Sequence, residues 1–390
     1  MTAAVHHEPP RRPAGDEPPR RPAGDDPFRF TDELGPLKIV HVTERSTGLR
    51  ATVVIDNVAV GQAIGGVRMA PDVTTEECFR LARAMTLKNA AAGLNHGGGK
   101  SVIVADPTMP SDRKERLIRA FADAIEDLTD YVPGPDMGTD ETCMAWVRDQ
   151  IGRAVGLPAA LGGIPLDVVG ATGYGLAAAI DVAAEHIGMS LAGARVAVQG
   201  FGAVGSNVAR FLDERGCILV AAADLGGCIV DRHGLDVAEL LATKRNGSVV
   251  GHPVGEVIDR DAIVGVECDI WIPAARPNVV HAGNVDTVRA RIIAQGANIP
   301  ATDAAEARLH ERGVLVLPDF IANAGGVICG AVEYAGGTAD DAFRTIDDRI
   351  RTNTASMLAT SAATGRTPRE VAIDAARERI EAAMATHRYR

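Results

Sequence analysis

Two lysines, Lys88 and Lys100, flank the glycine run Gly97, Gly98 and Gly99, and an aspartate, Asp136, follows in the proline- and glycine-rich stretch YVPGPDMGT. Leu81, Met85, Lys88 and Ala92 stand at i, i+4, i+7 and i+11, one face of a helix. Lys88 thus lies in an apolar stripe. A buried ammonium loses several kcal/mol of hydration unless an anion meets it or it gives up its proton. The position therefore asks for a carboxylate partner or a lowered pKa. Lys100 directly precedes SVIVAD, a buried-strand pattern, so it is expected at a loop-to-strand junction where glycines leave it unshielded from a ligand. Asp136 alone reads as a turn former. Beside two lysines it becomes a candidate for proton transfer.

A second constellation lies downstream. In ARVAVQGFGAVGSNVARFL, Gly200, Gly202 and Gly205 give GxGxxG after a strand and at the start of a helix, with Ala203 and Val204 inside the turn. There, free helix amides face a pyrophosphate. Asp224 ends the next strand at the spacing of an acid that accepts ribose hydroxyls, and an acid there repels a 2′-phosphate, which favours NAD over NADP. CDIWIPAA, RIIAQGAN and GVLVLPD are near-continuous apolar runs, the pattern of parallel strands with a ligand at their C-terminal edge. Asn298 and Asn323 stand at or beyond such ends. They read as turn or cap residues, or as holders of the nicotinamide amide or the substrate.

The elements that position these residues follow from local pattern. Residues 1–27 repeat PPRRPAGD with almost no apolar side chains, the composition of a disordered tail. KIVHVTE and RATVVIDN read as neighbouring strands. Gly65 and Gly66, just before Arg68, mark a close backbone approach or a bend. Thr74 and Glu77 have capping-box spacing and start the helix of Lys88. Thr139 or Asp140 caps the helix after Asp136, and Thr172 opens a long alanine-rich helix that ends at Gly188. The last stretch, from Asp340, reads as helix broken near Gly365 to Pro368.

The chain has 390 residues, 46% of them hydrophobic, with a net charge of −11. The length predicts two domains plus tails. The acidic balance argues against nucleic acid or an anionic membrane as partner. No run reads as a membrane span and the N-terminus lacks the apolar core of a signal peptide, so a cytoplasmic protein is expected. Six cysteines lack any CxxC or zinc spacing and read as reduced packing residues, and ten histidines form no paired ligand set, so no metal is expected.

With these pieces assembled, the chain from about Phe28 onward resembles the glutamate/leucine/phenylalanine/valine dehydrogenase family. LKNAAAGLNHGGGKSVI is similar to its two-lysine segment, PGPDMGT to its aspartate loop, QGFGAVGS to its dinucleotide turn, and LPDFIANAGGV to its cofactor-and-substrate segment. The resemblance implies an α/β fold. A substrate domain over 28–168 would precede a Rossmann-like domain over 169–335, and C-terminal helices over 336–390 would return to the first domain. It implies reversible oxidative deamination of an L-amino acid to a 2-oxo acid and ammonia with NAD(P), in a homo-oligomer. Lys88 would bind the substrate α-carboxylate and stay charged. Lys100 would activate water as a base, which at neutral pH needs a pKa well below about 10.4. Asp136 would exchange a proton with the amino nitrogen. Thr172 and Asn323 would line the nicotinamide site, and Ala274, in AARPNVV, stands where the family more often has ALxx.

The same resemblance bears on the substrate. Glutamate-specific members place a lysine before the paired glycines, where this chain has Ile64, and commonly a serine where it has Gly330. A buried γ-carboxylate without a donor is costly, so an apolar side chain is expected, held by Ile64, Gly65, Gly66, Gly134, Val327 and Gly330. Gly134 and Gly330 are expected to open space for a bulky one. The alternative is glutamate dehydrogenase itself. A remoter one is a silent NAD-binding regulatory paralogue, for which the joint presence of Lys88, Lys100 and Asp136 has no use.

Overall fold

The computed structural model describes Asp26 and residues 28–386, so the duplicated PPRRPAGD segment lies outside the described residues. Two sheets organise the chain, each with its own core. β1 (Lys38–Glu44), β2 (Leu49–Asn57), β3 (Ala63–Ala70), β4 (Gly97–Val104) and β5 (Tyr131–Pro135) form the first, in the order β1-β2-β4-β3-β5. β1, β2 and β4 run antiparallel, while β3 is parallel to both β4 and β5. Helix α1 (Thr75–Ala91) lies on β4, and α2 (Ser111–Ala124) and α3 (Glu141–Ile151) pack together beside the sheet. The Thr74 side chain caps α1 by accepting from Glu77 N at 3.1 Å. Asp140, rather than Thr139, caps α3 by accepting from Cys143 N.

The short α4 (Leu166–Val169) leads into α5 (Ala171–His186), whose alanines let neighbours approach closely and which is buried for most of its length. Leu166–His186 has the length and hydropathy of a membrane span, a feature missed in reading the sequence. It is broken at Gly170 and serves as the core helix of the second half. The second sheet joins β6 (Arg195–Gln199), β7 (Ile218–Asp224), β8 (Gly227–Val230), β9 (Glu256–Ile258), β10 (Ile270–Pro273), β11 (Ile292–Ala294) and β12 (Leu315–Leu317). Its order is β12-β11-β10-β6-β7-β8-β9, parallel from β12 to β7. β8 and β9 add an antiparallel edge, absent from the sequence reading because a tight Leu225–Gly226 turn hides β8 among glycines. Helices α6 (Ala203–Asp213), α7 (Val237–Arg245) and α8 (Asp303–Glu311) complete this half. The order reverses at β6, between β7 and β10, and such a switch point opens a crevice at the strands' C-terminal ends.

The chain ends in α9 (Asp319–Ala322), α10 (Gly325–Tyr334), α11 (Ala339–Thr364) and α12 (Pro368–Thr386). α11 packs on α5 and α10 and thus lies with the second half, contrary to the expectation for both terminal helices. α12 reaches α1 and ties the halves together. Arg369 on α12 donates by its guanidinium to the Glu306 and Asp319 carboxylates and to Gln295 Oε1, at 2.7 to 2.8 Å. All six cysteines are buried and free.

Candidate active site

Lys100 does not sit at a loop end. It lies within β4, opposite Val54 of β2, and is 6% exposed. The preceding glycines belong to the strand because their surroundings leave no room for side chains. A Cβ on Gly97 would stand 1.8 Å from Asn57 O, one on Gly98 2.1 Å from Thr86 N, and one on Gly99 2.9 Å from the Tyr131 ring. Gly65 and Gly66 likewise form no bend. They run through β3, where a Cβ on Gly65 would meet Gly99 O at 1.6 Å. One on Gly66 would meet Asp136 Cβ at 2.7 Å and Lys100 Nζ at 3.2 Å. The glycines let β3, β4 and α1 close on one another, and Gly66 makes the space in which lysine and aspartate meet.

Asp136 is the first residue past β5, and its carboxylate forms an ion pair with Lys100 Nζ. Arg68 Nη2 lies 3.4 Å from its other oxygen, while Arg68 Nη1 donates to Glu77 Oε1 at 2.7 Å. Burial by itself would raise the Asp136 pKa, but Lys100 and Arg68 beside it hold the carboxyl below its ordinary range. The carboxylate is therefore ionised at neutral pH. Thr139 fixes the turn, accepting from Asp136 N and donating to Val67 O. The pairings of Arg68 and Glu77 were not foreseen. Arg68 directly follows the glycines, but only strand pairing brings it to Asp136.

Lys88 projects from α1 toward the second half, where its Nζ donates to Asn323 Oδ1 at 2.6 Å. The Asn323 amide donates to Gly296 O and to Asn298 Oδ1, at 3.2 and 3.1 Å. Lys88, Asn298 and Asn323 are thus one hydrogen-bonded set across the cleft. Burial pushes the Lys88 pKa down to about 8, and Lys100 adds to the fall. The nearby carboxylates of Asp319 and Asp136 oppose it. The ammonium is charged at neutral pH, yet burial makes it lose its proton far more readily than an exposed lysine does. Asp319, which also accepts from Ile299 N at 2.9 Å, is the charge that sequence reading missed.

Ile64, Val132 and Val155 form a small buried cluster with Tyr334 packed against it. Gly134 and Gly330 open on this cluster, and half-buried Val327 lies one turn before Gly330 on α10. The space next to the two glycines is not vacant. Val155 Cγ2 lies 2.9 Å from where a Cβ of Gly134 would be and 3.9 Å from that of Gly330. The expected room for a bulky side chain is therefore taken by Val155.

At the dinucleotide turn, Gly200 has φ +92°, a left-handed conformation, and a Cβ there would collide with the backbone of Ala274 and Ala275 at 2.7 Å. Gly205 packs on Gly200 O, while nothing lies within 4 Å of a Cβ built on Gly202, which opens to solvent with Ala203. No side chain caps α6, so its first amides, near Ala203 and Val204, are available to an anion. These residues fit the pyrophosphate of a dinucleotide. Thr172, at the start of α5, has its Oγ1 2.9 Å from a Cβ built on Gly326, just beyond Asn323. Asp224, expected to await a ribose, is already occupied. It accepts from Lys244 Nζ at 2.7 Å, Ser248 Oγ at 2.6 Å, Val249 N at 3.0 Å and Gly226 N at 2.8 Å. Burial pushes this carboxyl up, but Lys244 and these donors hold it below its ordinary range. Lys244 also balances its charge, so the argument that Asp224 repels a 2′-phosphate loses its basis.

Residues 162–388 match the family model described as Glutamate/Leucine/Phenylalanine/Valine dehydrogenase, and residues 37–153 match its companion, the Glu/Leu/Phe/Val dehydrogenase dimerisation domain. The chain is 40% identical over 322 residues to the glutamate dehydrogenase of Aeropyrum pernix, covering 77% of each chain. It is 37% identical over 314 residues to the NADP-specific glutamate dehydrogenase of Saccharolobus shibatae, covering 75% of this chain and 74% of that one. Its fold is similar to that of the hetero-hexameric glutamate dehydrogenase of Thermus thermophilus in its Leu-bound form, with a TM-score of 0.82, 29% identity and 91% of each chain covered. A two-sheet α/β fold of the same build, a lysine–aspartate pair beside a second lysine and two family models over most of its length lead to one conclusion: the chain belongs to the glutamate/leucine/phenylalanine/valine dehydrogenase family of NAD(P)-dependent amino-acid dehydrogenases.

Proposed function

We propose that this chain is a glutamate dehydrogenase, which interconverts L-glutamate with 2-oxoglutarate and ammonia. The observation that carries the reading is its 40% identity over three quarters of its length to a glutamate dehydrogenase. The expectation of an apolar substrate, drawn from Ile64 and Gly330, gives way to it as the leading reading.

Bound NAD(P) supplies the hydride acceptor for Cα. Gly200, Gly202 and the first amides of α6 would hold its pyrophosphate, and Thr172, Ala274, Asn298 and Asn323 would line the nicotinamide end. The chain's own residues do the rest. Lys88 exchanges its bond to Asn323 Oδ1 for the substrate α-carboxylate, and that anion restores the charge that burial disfavours. Asp136, kept ionised by Lys100 and Arg68, takes a proton from the amino nitrogen. Lys100, beside it, directs water to the iminium carbon left when hydride departs, and the C–N bond then breaks to release ammonia once Asp136 returns its proton to the nitrogen. Either cofactor suits the paired Asp224 and Lys244, and the relative from Saccharolobus shibatae is NADP-specific. A homo-oligomer is the expected assembly.

A second reading, an apolar L-amino acid, is favoured by the wall of Ile64, Val132 and Val155, which offers a γ-carboxylate no cation. Steady-state kcat/KM for glutamate, leucine, valine, phenylalanine and tryptophan with NAD and NADP separates the two. Glutamate is expected to give the highest value. A leucine or phenylalanine value above it would overturn the leading reading in favour of the second.

A further inference from the structure

We propose that Arg349 of α11 and Arg379 of α12 are positioning residues for substrate binding, clasping the end of α1 and so aiming the Lys88 ammonium into the cleft. This rests on the reading that Lys88 receives the substrate α-carboxylate, and it holds for either side-chain class. Lys88 sits in the last turn of α1, where its own carbonyl accepts from Ala92 N at 2.9 Å. A helix end leaves carbonyls short of partners and is the negative pole of the helix dipole, so cations are favoured there. Two arginines take that place. Arg379 donates to Ala90 O at 2.9 Å and to Asn95 Oδ1 at 3.4 Å, and Arg349 Nη1 donates to Gly93 O. Their neighbours Arg351 and Arg377 pair with Asp181 and Asp347 and with Glu33, whereas neither Arg349 nor Arg379 forms an ion pair among the described residues. Burial, and then the charge of Arg349, push the Arg379 pKa down. Two like charges are therefore held side by side on the carbonyls of the helix that carries Lys88.

The clasp joins Lys88 to the side of the cleft that it faces. α11 packs on α5 and α10, and also on α9, whose C-terminal cap is Asn323. The helix that reaches Gly93 O through Arg349 thus also backs the residue whose Oδ1 accepts from Lys88 Nζ at 2.6 Å. Both ends of that contact are referred to α11. Gly93 is suited to the approach, with φ +69° and with Arg349 Nη1 only 2.4 Å from where a Cβ would stand. On α12, Ala376 and Ile380 pack with Ala90 beside Arg379. Toward the first half, Asn89 Nδ2 donates to Gly97 O at 2.7 Å, at the start of the strand that carries Lys100. The last turn of α1 is therefore fastened to β4 on one side and to α11 and α12 on the other. A group that holds substrate loses up to about 100-fold in rate when it is misplaced by about 1 Å, which makes this fastening matter for binding.

The test uses the full chain as wild type, Arg349→Met, Arg379→Met, Arg349→Lys, Lys88→Met and the double variant Lys88→Met/Arg349→Met. Turnover of 2-oxoglutarate and of 4-methyl-2-oxopentanoate is measured with ammonia and NADH or NADPH, and cofactor affinity is measured by fluorescence titration. Each arginine-to-methionine change should lower kcat/KM for the acid that the wild type uses by roughly 10- to 100-fold, mostly through KM. Cofactor affinity should stay within about twofold, and Arg349→Lys should recover most of the loss. In the Lys88→Met background, adding Arg349→Met should cost less than about threefold, because no ammonium remains to be aimed. An equal loss in both backgrounds, or a wild-type KM in the arginine variants, overturns the proposal while leaving Lys88 its role. Two separate arginines keep the test decisive if one variant folds poorly. Lys88→Met with wild-type kcat/KM overturns the α-carboxylate reading and the clasp with it. A wild type that turns over neither acid also overturns both.

Discussion

Replacing Lys88 by methionine should stabilise the protein while removing its activity. Burial lowers this lysine from 10.5 to about 8, so at neutral pH the folded chain holds a proton that its surroundings disfavour. At about 1.4 kcal/mol per pH unit, the drop corresponds to about 3 kcal/mol of stability withheld from the wild type at pH 7. Methionine retains the length and apolar character of the stem and removes the charge. It also leaves Asn323 Oδ1 without its donor, which gives back about 1 to 2 kcal/mol. The net gain expected at pH 7 is about 1 to 2 kcal/mol. Its pH dependence identifies the cause. Between about 8 and 10.5 the unfolded chain binds the lysine proton more tightly than the folded one, so wild-type stability rises with pH across that window and the advantage of Lys88→Met fades. Urea unfolding of both proteins at one protein concentration, at steps from pH 7 to pH 10, measures this. In parallel, kcat/KM for the amino acid should fall by roughly 30-fold to several thousand-fold, the loss of about 2 to 5 kcal/mol that follows removal of one partner of a buried charge pair. A variant less stable than wild type at pH 7, or a stability difference that does not change with pH, would refute the reasoning.

Gly66→Ala should damage the site from within the strand, because the new methyl group would lie 2.7 Å from Asp136 Cβ and 2.8 Å from Pro135 O. We expect about 1 to 3 kcal/mol of destabilisation by calorimetry or denaturant and a kcat loss larger than any change in NADH affinity. Lys244→Met should expose the charge of Asp224, so the NADPH-to-NADH affinity ratio from fluorescence titration should fall by roughly tenfold, and an unchanged ratio would separate Asp224 from cofactor choice. Arg369→Met should leave Glu306 and Asp319 as buried carboxylates without their cation, at a cost of about 3 to 5 kcal/mol in urea unfolding. A cost below about 1 kcal/mol would show that α12 is not fastened through this contact.

The three residues that drew attention first were legible because their types conflict with their local patterns. A lysine in an apolar helical stripe, a lysine after three glycines and an aspartate between prolines and glycines each call for a reason. The GxGxxG turn and the run of parallel strands were legible for a related reason, since strand and helix periods are written locally. What the glycines are for was not legible. Glycine in a sequence says only that a side chain is absent, and the object that forbids it, such as Gly99 O facing Gly65 or Val155 facing Gly134, is remote along the chain. The β8–β9 edge was missed because its turn residues blend into neighbouring glycines.

The sequence by itself determined most of the elements, the residues proposed to react and the presence of a dinucleotide turn, because those depend on residue type and short-range spacing. Only the tertiary structure decided which groups face one another. It set Lys88 on Asn323, closed Asp224 with Lys244 and set Val155 against Gly134. Those are contacts between distant segments. Their energies depend on burial and on distances of a few ångströms, and no local pattern encodes either.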